Sequence, residues 1–151
     1  MPERETIKRA RRDKRQGKAA STQAGEFVRE EMDHIREGKH GARSTKQAIA
    51  IGLSKARRAG VKLGKPPASA KASTKRSAAS ASRRSRSHRR PSTRRSRGVK
   101  RALKREGRSA ASRKSLSRQA RSAAHRRSAA QRRASARKAA RTRQRRRRAS
   151  S

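Results

Sequence analysis

Arginine is the side chain whose number and spacing in this sequence point most directly to a chemistry. It recurs in pairs and runs, such as Arg83-Arg84, Arg132-Arg133 and Arg145 to Arg148, separated mainly by Ala and Ser. A guanidinium group presents a planar fork of donors that matches the oxygens of a phosphate, and it stays charged at physiological pH. The pattern therefore predicts contact with many phosphates of a polyanion.

The basic residues are unevenly distributed along the chain. The 151 residues include 50 Lys or Arg and 9 Asp or Glu, for a formal net charge of +41. Residues 1–64 hold 17 basic and 8 acidic residues, whereas residues 65–151 hold 33 basic residues and one acid, Glu106. Duplex DNA carries one charge per about 1.7 Å and releases condensed counterions when it is neutralised. It is therefore the partner expected for this chain.

The predicted nucleic-acid-binding residues are basic side chains of one loop, of the helix after it and of the later arginine pairs and runs. They are Lys39, His40, Arg43, Lys46, Lys55, Arg57, Arg58, Arg83, Arg84, Arg89, Arg90, Arg126, Arg127, Arg132, Arg133, Arg145, Arg146, Arg147 and Arg148. In the loop 38–43, free amides at the amino end of the following helix could also hold one phosphate. An ordinary glycine-bounded helix connection is the alternative for this loop, and solvated surface charge is the alternative for the helix.

Residues for other chemistries are scarce. There is no cysteine, and none of the four histidines has a second ligand at metal spacing, so no metal and no cofactor are predicted. His34, next to Asp33 and near Glu30, is expected to be a helix-surface residue. No Ser/His/Asp arrangement indicates an enzyme. No apolar run reaches the roughly 20 residues of a membrane span, and the N-terminus lacks the apolar segment of a signal peptide, so we expect a cytoplasmic protein.

The elements that must position these side chains divide at Gly64-Lys65-Pro66-Pro67, because two prolines cannot continue a helix. We predict an all-α head of two to three helices over residues 1–64. The first helix is expected from about Glu3 to Gln16. The second begins after Ser21 or Thr22 and ends at Gly38, with apolar residues three and four apart.

The third predicted helix has the clearest signals at its ends. Ser44 and Gln47 form a capping box, in which each side chain satisfies a backbone amide of the other. Gly60 is placed to end the helix. Gly52, in the middle, would let another helix approach closely. Because its large apolar side chains are few, the head is expected to be marginal as a monomer, and a homodimer through the head is an open alternative.

Residues 65–151 are low-complexity Arg, Ala, Ser and Lys, and we predict a disordered tail. Repulsion between like charges should keep it open in solution, although Ala and Arg favour helix, so a helix could form once DNA neutralises the charge. This tail is expected to provide most of the phosphate contacts.

The stretch HGARSTKQAIAIGLSKARRAGVKL, from His40 to Leu63, resembles a small bacterial domain of unknown function with a KQAIAIALSEARKAG-like helix. Proteins with that domain are often labelled DNA-binding or plasmid-stabilisation proteins. Where they often have Ala and Glu, this chain has Gly52 and Lys55. The basic tail is similar in composition to the tails of bacterial histone H1-like proteins. The two resemblances imply a nucleoid-associated, DNA-condensing role, and neither assigns a binding residue.

Two alternatives to sequence-nonspecific DNA binding remain open at this point. The segment Ser82-Arg83-Arg84-Ser85-Arg86-Ser87 is similar to the arginine-serine segments of RNA-binding proteins. The absence of Tyr and Trp argues against base stacking and favours duplex DNA over single-stranded RNA. In the second alternative, the acidic second helix pairs with the basic tail or with a partner protein, and the tail serves only as an anchor.

Overall fold

The computed structural model describes residues 2–85, 87 and 92–149. Within these residues the secondary structure is entirely helical. The helices are α1 (Arg4–Arg15), α2 (Ala20–Arg36), α3 (Thr45–Arg58), α4 (Ala72–Arg84), α5 (Thr93–Lys104), α6 (Arg113–His125) and α7 (Ala129–Ala149), with a short 3-10 helix at Ser109–Ala111. The chain divides into two compact units, Met1–Ser115 and Leu116–Ser151. No helix of the described residues is long and apolar enough to cross a bilayer.

The core of the first unit lies among α1, α2 and α3. Phe27 and Ile35 of α2 are fully buried, and Phe27 packs against alanines of all three helices. The partly buried side chains Ile7, Leu53, Val61 and Leu63 surround this contact. The three helices predicted for the head are confirmed, and the observed bounds of α1 and α2 lie within three residues of the expected ones.

Two local features of α3 explain how it packs and where it begins. A Cβ atom on Gly52 would lie 2.7 Å from the Cα atom of Val28, so only glycine allows α2 and α3 to approach this closely. The Gln47 amide donates to Ser44 Oγ over 3.2 Å, as the capping box predicts. The Gln47 side chain accepts from the Arg43 amide over 2.8 Å, one residue earlier than predicted.

The prediction of a small helical head followed by a disordered tail is wrong, because helices α4 to α7 occupy most of the segment after residue 71. Part of this segment packs on the head. Helix α4 contacts α3 and buries Ala81, and the 3-10 helix buries Ala110 and Ala111. Thr45 Oγ1 donates to the Ala110 carbonyl over 2.7 Å. The alanines, which contribute to the low-complexity composition of this segment, are thus the residues that it buries.

Capping residues at the helix starts explain why α6 and α7 form in a segment that was predicted to be disordered. Ser128 and Gln131 form a reciprocal capping box at the start of α7, with N–H to O distances of 3.2 Å and 3.1 Å. Ser112 accepts from the Ser115 amide at the start of α6. All described side chains of α7 are exposed, where the charges of arginines are screened over about 8 Å at physiological salt. Repulsion between the arginines of α7 therefore opposes helix formation less than the composition of the segment suggested. The domain boundary at residue 64 stays a prediction.

Candidate nucleic-acid interface

The carboxylates of this protein are all engaged by one part of the chain. Each of the nine forms an ion pair with a basic side chain between Lys8 and Lys55. Even Glu106, which follows α5, pairs with Arg43 of the head. As a result, no described Lys or Arg of α4 or α5 forms an ion pair with an Asp or Glu. The positive charge of these two helices is therefore not balanced by carboxylates of the described residues.

A basic groove lies between α3 and α4, and we call it the α3–α4 groove. Four arginines line it, Arg58 from α3, Arg76 and Arg84 from α4, and Arg95 from α5. The remaining lining residues are Gln47, Ala50, Ile51, Ser54, Ser77, Ser80 and Ala81. No carboxylate lines the groove, and its serine hydroxyls are donors of the size and polarity that suit phosphate oxygens.

The arginines of this groove repel one another. Partial desolvation, together with the nearby positive charge of Arg84, lowers the pKa of the Arg58 guanidinium from its usual value. The group stays protonated at physiological pH, because an arginine does not lose its charge in a protein. A bound anion would relieve the repulsion between Arg58 and Arg84, so the local electrostatics favour a phosphate in this position.

Two backbone amides of the loop 38–43 already have partners within the protein, whereas the phosphate site at the amino end of α3 stays a prediction. The amide of Gly41 donates to the Leu103 carbonyl over 2.9 Å, and the amide of Ala42 donates to the Gly107 carbonyl over 3.1 Å. Gly41 approaches the backbone of Glu106 so closely that a Cβ atom would overlap it. This loop is therefore a docking site for residues that follow α5.

The predicted binding residues of the loop also have partners within the protein. Lys39 forms ion pairs with Glu3 and Glu37 at 3.3 Å and 2.9 Å. His40 Nδ1 lies 3.1 Å from the Gly41 carbonyl. Arg43, 81% exposed, lies 3.6 Å from Glu106 and is the loop residue most accessible to a ligand.

Lys55 is mostly buried in the head, where its ammonium group contacts two carboxylates. Its Nζ atom lies 3.0 Å from Glu30 Oε1 and 2.7 Å from Glu31 Oε2. Burial raises the pKa of Glu30, but hydrogen bonds from Thr6, Lys55 and the Glu3 amide outweigh that effect and lower the pKa overall. The ammonium group of Lys55 is thus occupied in stabilising two buried carboxylates.

The other predicted residues of α3 and α4 are closer to the surface. Lys46 is exposed, Arg57 donates to the Gly64 carbonyl over 2.9 Å, and Arg58 and Arg84 line the groove. Arg83 is exposed at the end of α4. Arg89 and Arg90 lie outside the described residues.

In the second unit, the predicted residues are exposed on α7 or on the turn before it. Arg126 and Arg127 belong to the turn, and the α7 residues are Arg132, Arg133, Arg145, Arg146, Arg147 and Arg148. The arginines of α7, with the small residues between them, form an exposed basic surface along this helix.

Sequence reasoning missed Arg76 and Arg95 as groove residues. The signal for Arg76 was present, since Arg76, Ser80 and Arg84 are spaced four residues apart and share one face of a helix. That spacing carries meaning only once the segment is known to be helical. Arg95 reaches the groove from another helix, which no local pattern reveals.

Comparisons of this chain with protein-family models, curated proteins and solved structures find no match.

Proposed function

We propose that this protein binds duplex DNA without sequence preference, neutralising the phosphate backbone with basic side chains presented on helices. The observation that carries the proposal is the partition of charge. All nine carboxylates pair with residues between Lys8 and Lys55, while α4 and α5 present basic groups that have no carboxylate partner. A polyphosphate supplies the missing negative charge and gains free energy by releasing its counterions.

The α3–α4 groove supports a defined contact within this general attraction. Its four arginines project from helices, so fewer backbone degrees of freedom are lost on binding than in an unfolded chain. Contacts to phosphates position a protein on DNA without reading bases. The groove is therefore suited to holding the backbone in one orientation while the exposed arginines of α7 add further charge.

The placement of the sole aromatic residue favours duplex over single-stranded partners. Phe27 is 1% exposed in the core of the head, and the sequence has no Tyr or Trp. No Phe, Tyr or Trp is therefore exposed for the bases of a single strand to stack on. A nucleoid-associated role in a bacterial cytoplasm, as the resemblances of the sequence imply, is consistent with this preference.

Binding of the full-length protein to unrelated sequences tests the proposal. The protein, freed of nucleic acid at high salt, is titrated against two labelled duplexes of unrelated sequence, a single strand and a structured RNA hairpin. We expect equal affinity for the two duplexes and weaker binding to the other two ligands. A strong preference for one duplex, or for the hairpin over both duplexes, would contradict the proposal.

A further inference from the structure

Two histidines and one glutamate converge at the junction between α2 and the loop after it. Glu31 and His34 lie one turn apart on α2, and His40 returns to them after Gly38, whose φ of +78° reverses the chain. One potential ligand atom from each of the three residues lies within 4.8 Å of the other two. The two imidazole rings meet edge to face, with centroids 6.1 Å apart.

Glu31 is fully buried, and the negative charge of its carboxylate is only partly compensated. Its Oε1 atom has no hydrogen-bond partner among the described residues. Its Oε2 atom lies 2.7 Å from Lys55 Nζ, but that ammonium group is shared with the buried Glu30. One lysine charge thus faces two buried carboxylates, and a buried charge without full compensation is unfavourable. A cation beside Glu31 Oε1 would restore the balance.

The orientation of His40 points to a cation at that position. Its Nδ1 atom lies 3.1 Å from the Gly41 carbonyl and must carry a proton to donate to it. In the neutral ring Nε2 then has a lone pair, and this atom lies 3.4 Å from Glu31 Oε1. Two lone pairs facing each other repel unless a proton or a metal ion lies between them. Two ligands on a tetrahedral zinc ion with bonds of about 2.0–2.1 Å are separated by about 3.3 Å.

His34 distinguishes a metal ion from a shared proton. A proton needs only two acceptors, whereas His34 adds a third potential ligand atom within 4.8 Å of those of Glu31 and His40. Glu3 Oε1 lies 2.8 Å from His34 Nε2, and a carboxylate in this relation to an imidazole is typical of the residues that orient metal-binding histidines.

We propose that Glu31, His34 and His40 bind a Zn²⁺ ion through one carboxylate and two imidazoles, with a fourth position open. Two imidazoles and one carboxylate suit Zn²⁺ and disfavour Mg²⁺ and Ca²⁺, which prefer oxygen ligands alone. The ion joins α2 to the loop that receives the residues after α5. Binding to the folded state alone also stabilises the fold, by an amount that rises with the logarithm of the free zinc concentration once this exceeds Kd.

The test uses full-length, tag-free protein in a chloride buffer without phosphate, at salt high enough to detach nucleic acid. Zn²⁺ binding is measured by calorimetry, Co²⁺ is added as a visible-absorbing probe, and thermal unfolding is followed with and without Zn²⁺. We expect one ion per chain, a Co²⁺ band displaced by Zn²⁺, and a rise in Tm with Zn²⁺ but not with Mg²⁺.

Matched variants assign the ion to this cluster. His40→Gln and His34→Gln should each lower the Zn²⁺ affinity at least about tenfold, and His125→Gln, outside the cluster, should leave it unchanged. Glu3→Gln keeps all three ligands and alters only a half-exposed side chain, so this variant should fold. It should bind Zn²⁺ about tenfold more weakly than the unaltered protein, because the carboxylate that orients His34 is lost. The proposal is overturned if the unaltered protein binds no Zn²⁺ at tens of micromolar, or if Glu3→Gln binds it as well as His125→Gln does.

Discussion

At the scale of single residues, the head depends on close contacts that larger side chains would destroy. Gly52 and Val28 show this most clearly, because a Cβ atom at residue 52 would come within 2.7 Å of backbone. Backbone cannot move aside as the end of a flexible side chain can. The distance between α2 and α3 is thus set by the absence of one methyl group.

Gly52→Ala should therefore destabilise the protein by about 1–3 kcal/mol, the usual range for overpacking. The matched control is Gly25→Ala in α2, where a Cβ atom would meet nothing within 4 Å. That change should stabilise by about 0.5–1 kcal/mol, because alanine is the better helix former. Urea unfolding measures both, and equal effects of the same sign would contradict the packing account.

Lys55 is a second residue on which the stability of the head depends, because its ammonium group compensates two buried carboxylates. Lys55→Met keeps the stem of the side chain but leaves Glu30 and Glu31 without their shared ammonium group. We expect a loss of about 3–5 kcal/mol, as for other broken buried ion pairs.

Lys46→Met is the control for that prediction, since Lys46 is exposed on the same helix. It should change the free energy of unfolding by less than about 0.5 kcal/mol. Equal stability of the two variants would show that Lys55 is not held as the structure has it.

At the scale of elements, the head was predictable and the later helices were not. The capping box at Ser44, the glycine stops and the apolar spacing of α2 are local signals, and local signals suffice for single helices. The docking of Gly41 and Ala42 onto the carbonyls of Leu103 and Gly107 joins residues more than sixty positions apart. No periodicity reports such a contact, which is why the loop was interpreted as a phosphate site. Ser128 and Gln131 carry the same local signal as Ser44 and Gln47, whereas the prediction of a disordered tail was based on low complexity and charge repulsion.

The cap of α7 gives a direct test of this correction. Replacing both Ser128 and Gln131 by alanine removes two reciprocal hydrogen bonds and should cost α7 about 1 kcal/mol, lowering the helix signal of the full-length protein in the absence of DNA. Ser135→Ala, inside α7, should not lower it. Circular dichroism at low temperature measures both. If the helix signal of the double variant equals that of Ser135→Ala, the capping box at the start of α7 is contradicted.

The α3–α4 groove is the other feature that belongs to this scale, because it exists only where two helices meet. The double variant Arg58→Gln, Arg84→Gln removes two groove charges, and the matched control Arg57→Gln, Arg83→Gln removes two adjacent ones. Arg57 and Arg83 do not line the groove. Each lost phosphate contact should reduce the slope of log K against log salt by about 0.9, so the groove variant should lose about 1.8. Equal losses in the two variants would mean that only total charge matters.

At the scale of the whole molecule, function follows from where the opposite charges are placed. With Arg and Lys outnumbering Asp and Glu by 50 to 9, any distribution would bind anions. What the structure adds is that eight of the nine acids lie in the head and that all nine form ion pairs with basic side chains of the head. The described basic residues of α4 and α5 have no carboxylate partner, and under the proposed function they are the groups that meet phosphates.

The most direct test of this account is the salt dependence of duplex binding by the full-length protein, measured between about 50 and 200 mM salt. If about ten phosphates are contacted, log K falls against log salt with a slope near −9, and the slope is the same for duplexes of unrelated sequence. A flat dependence, or no binding near physiological salt, would contradict the claim that phosphate neutralisation is what the positive charge of this chain does.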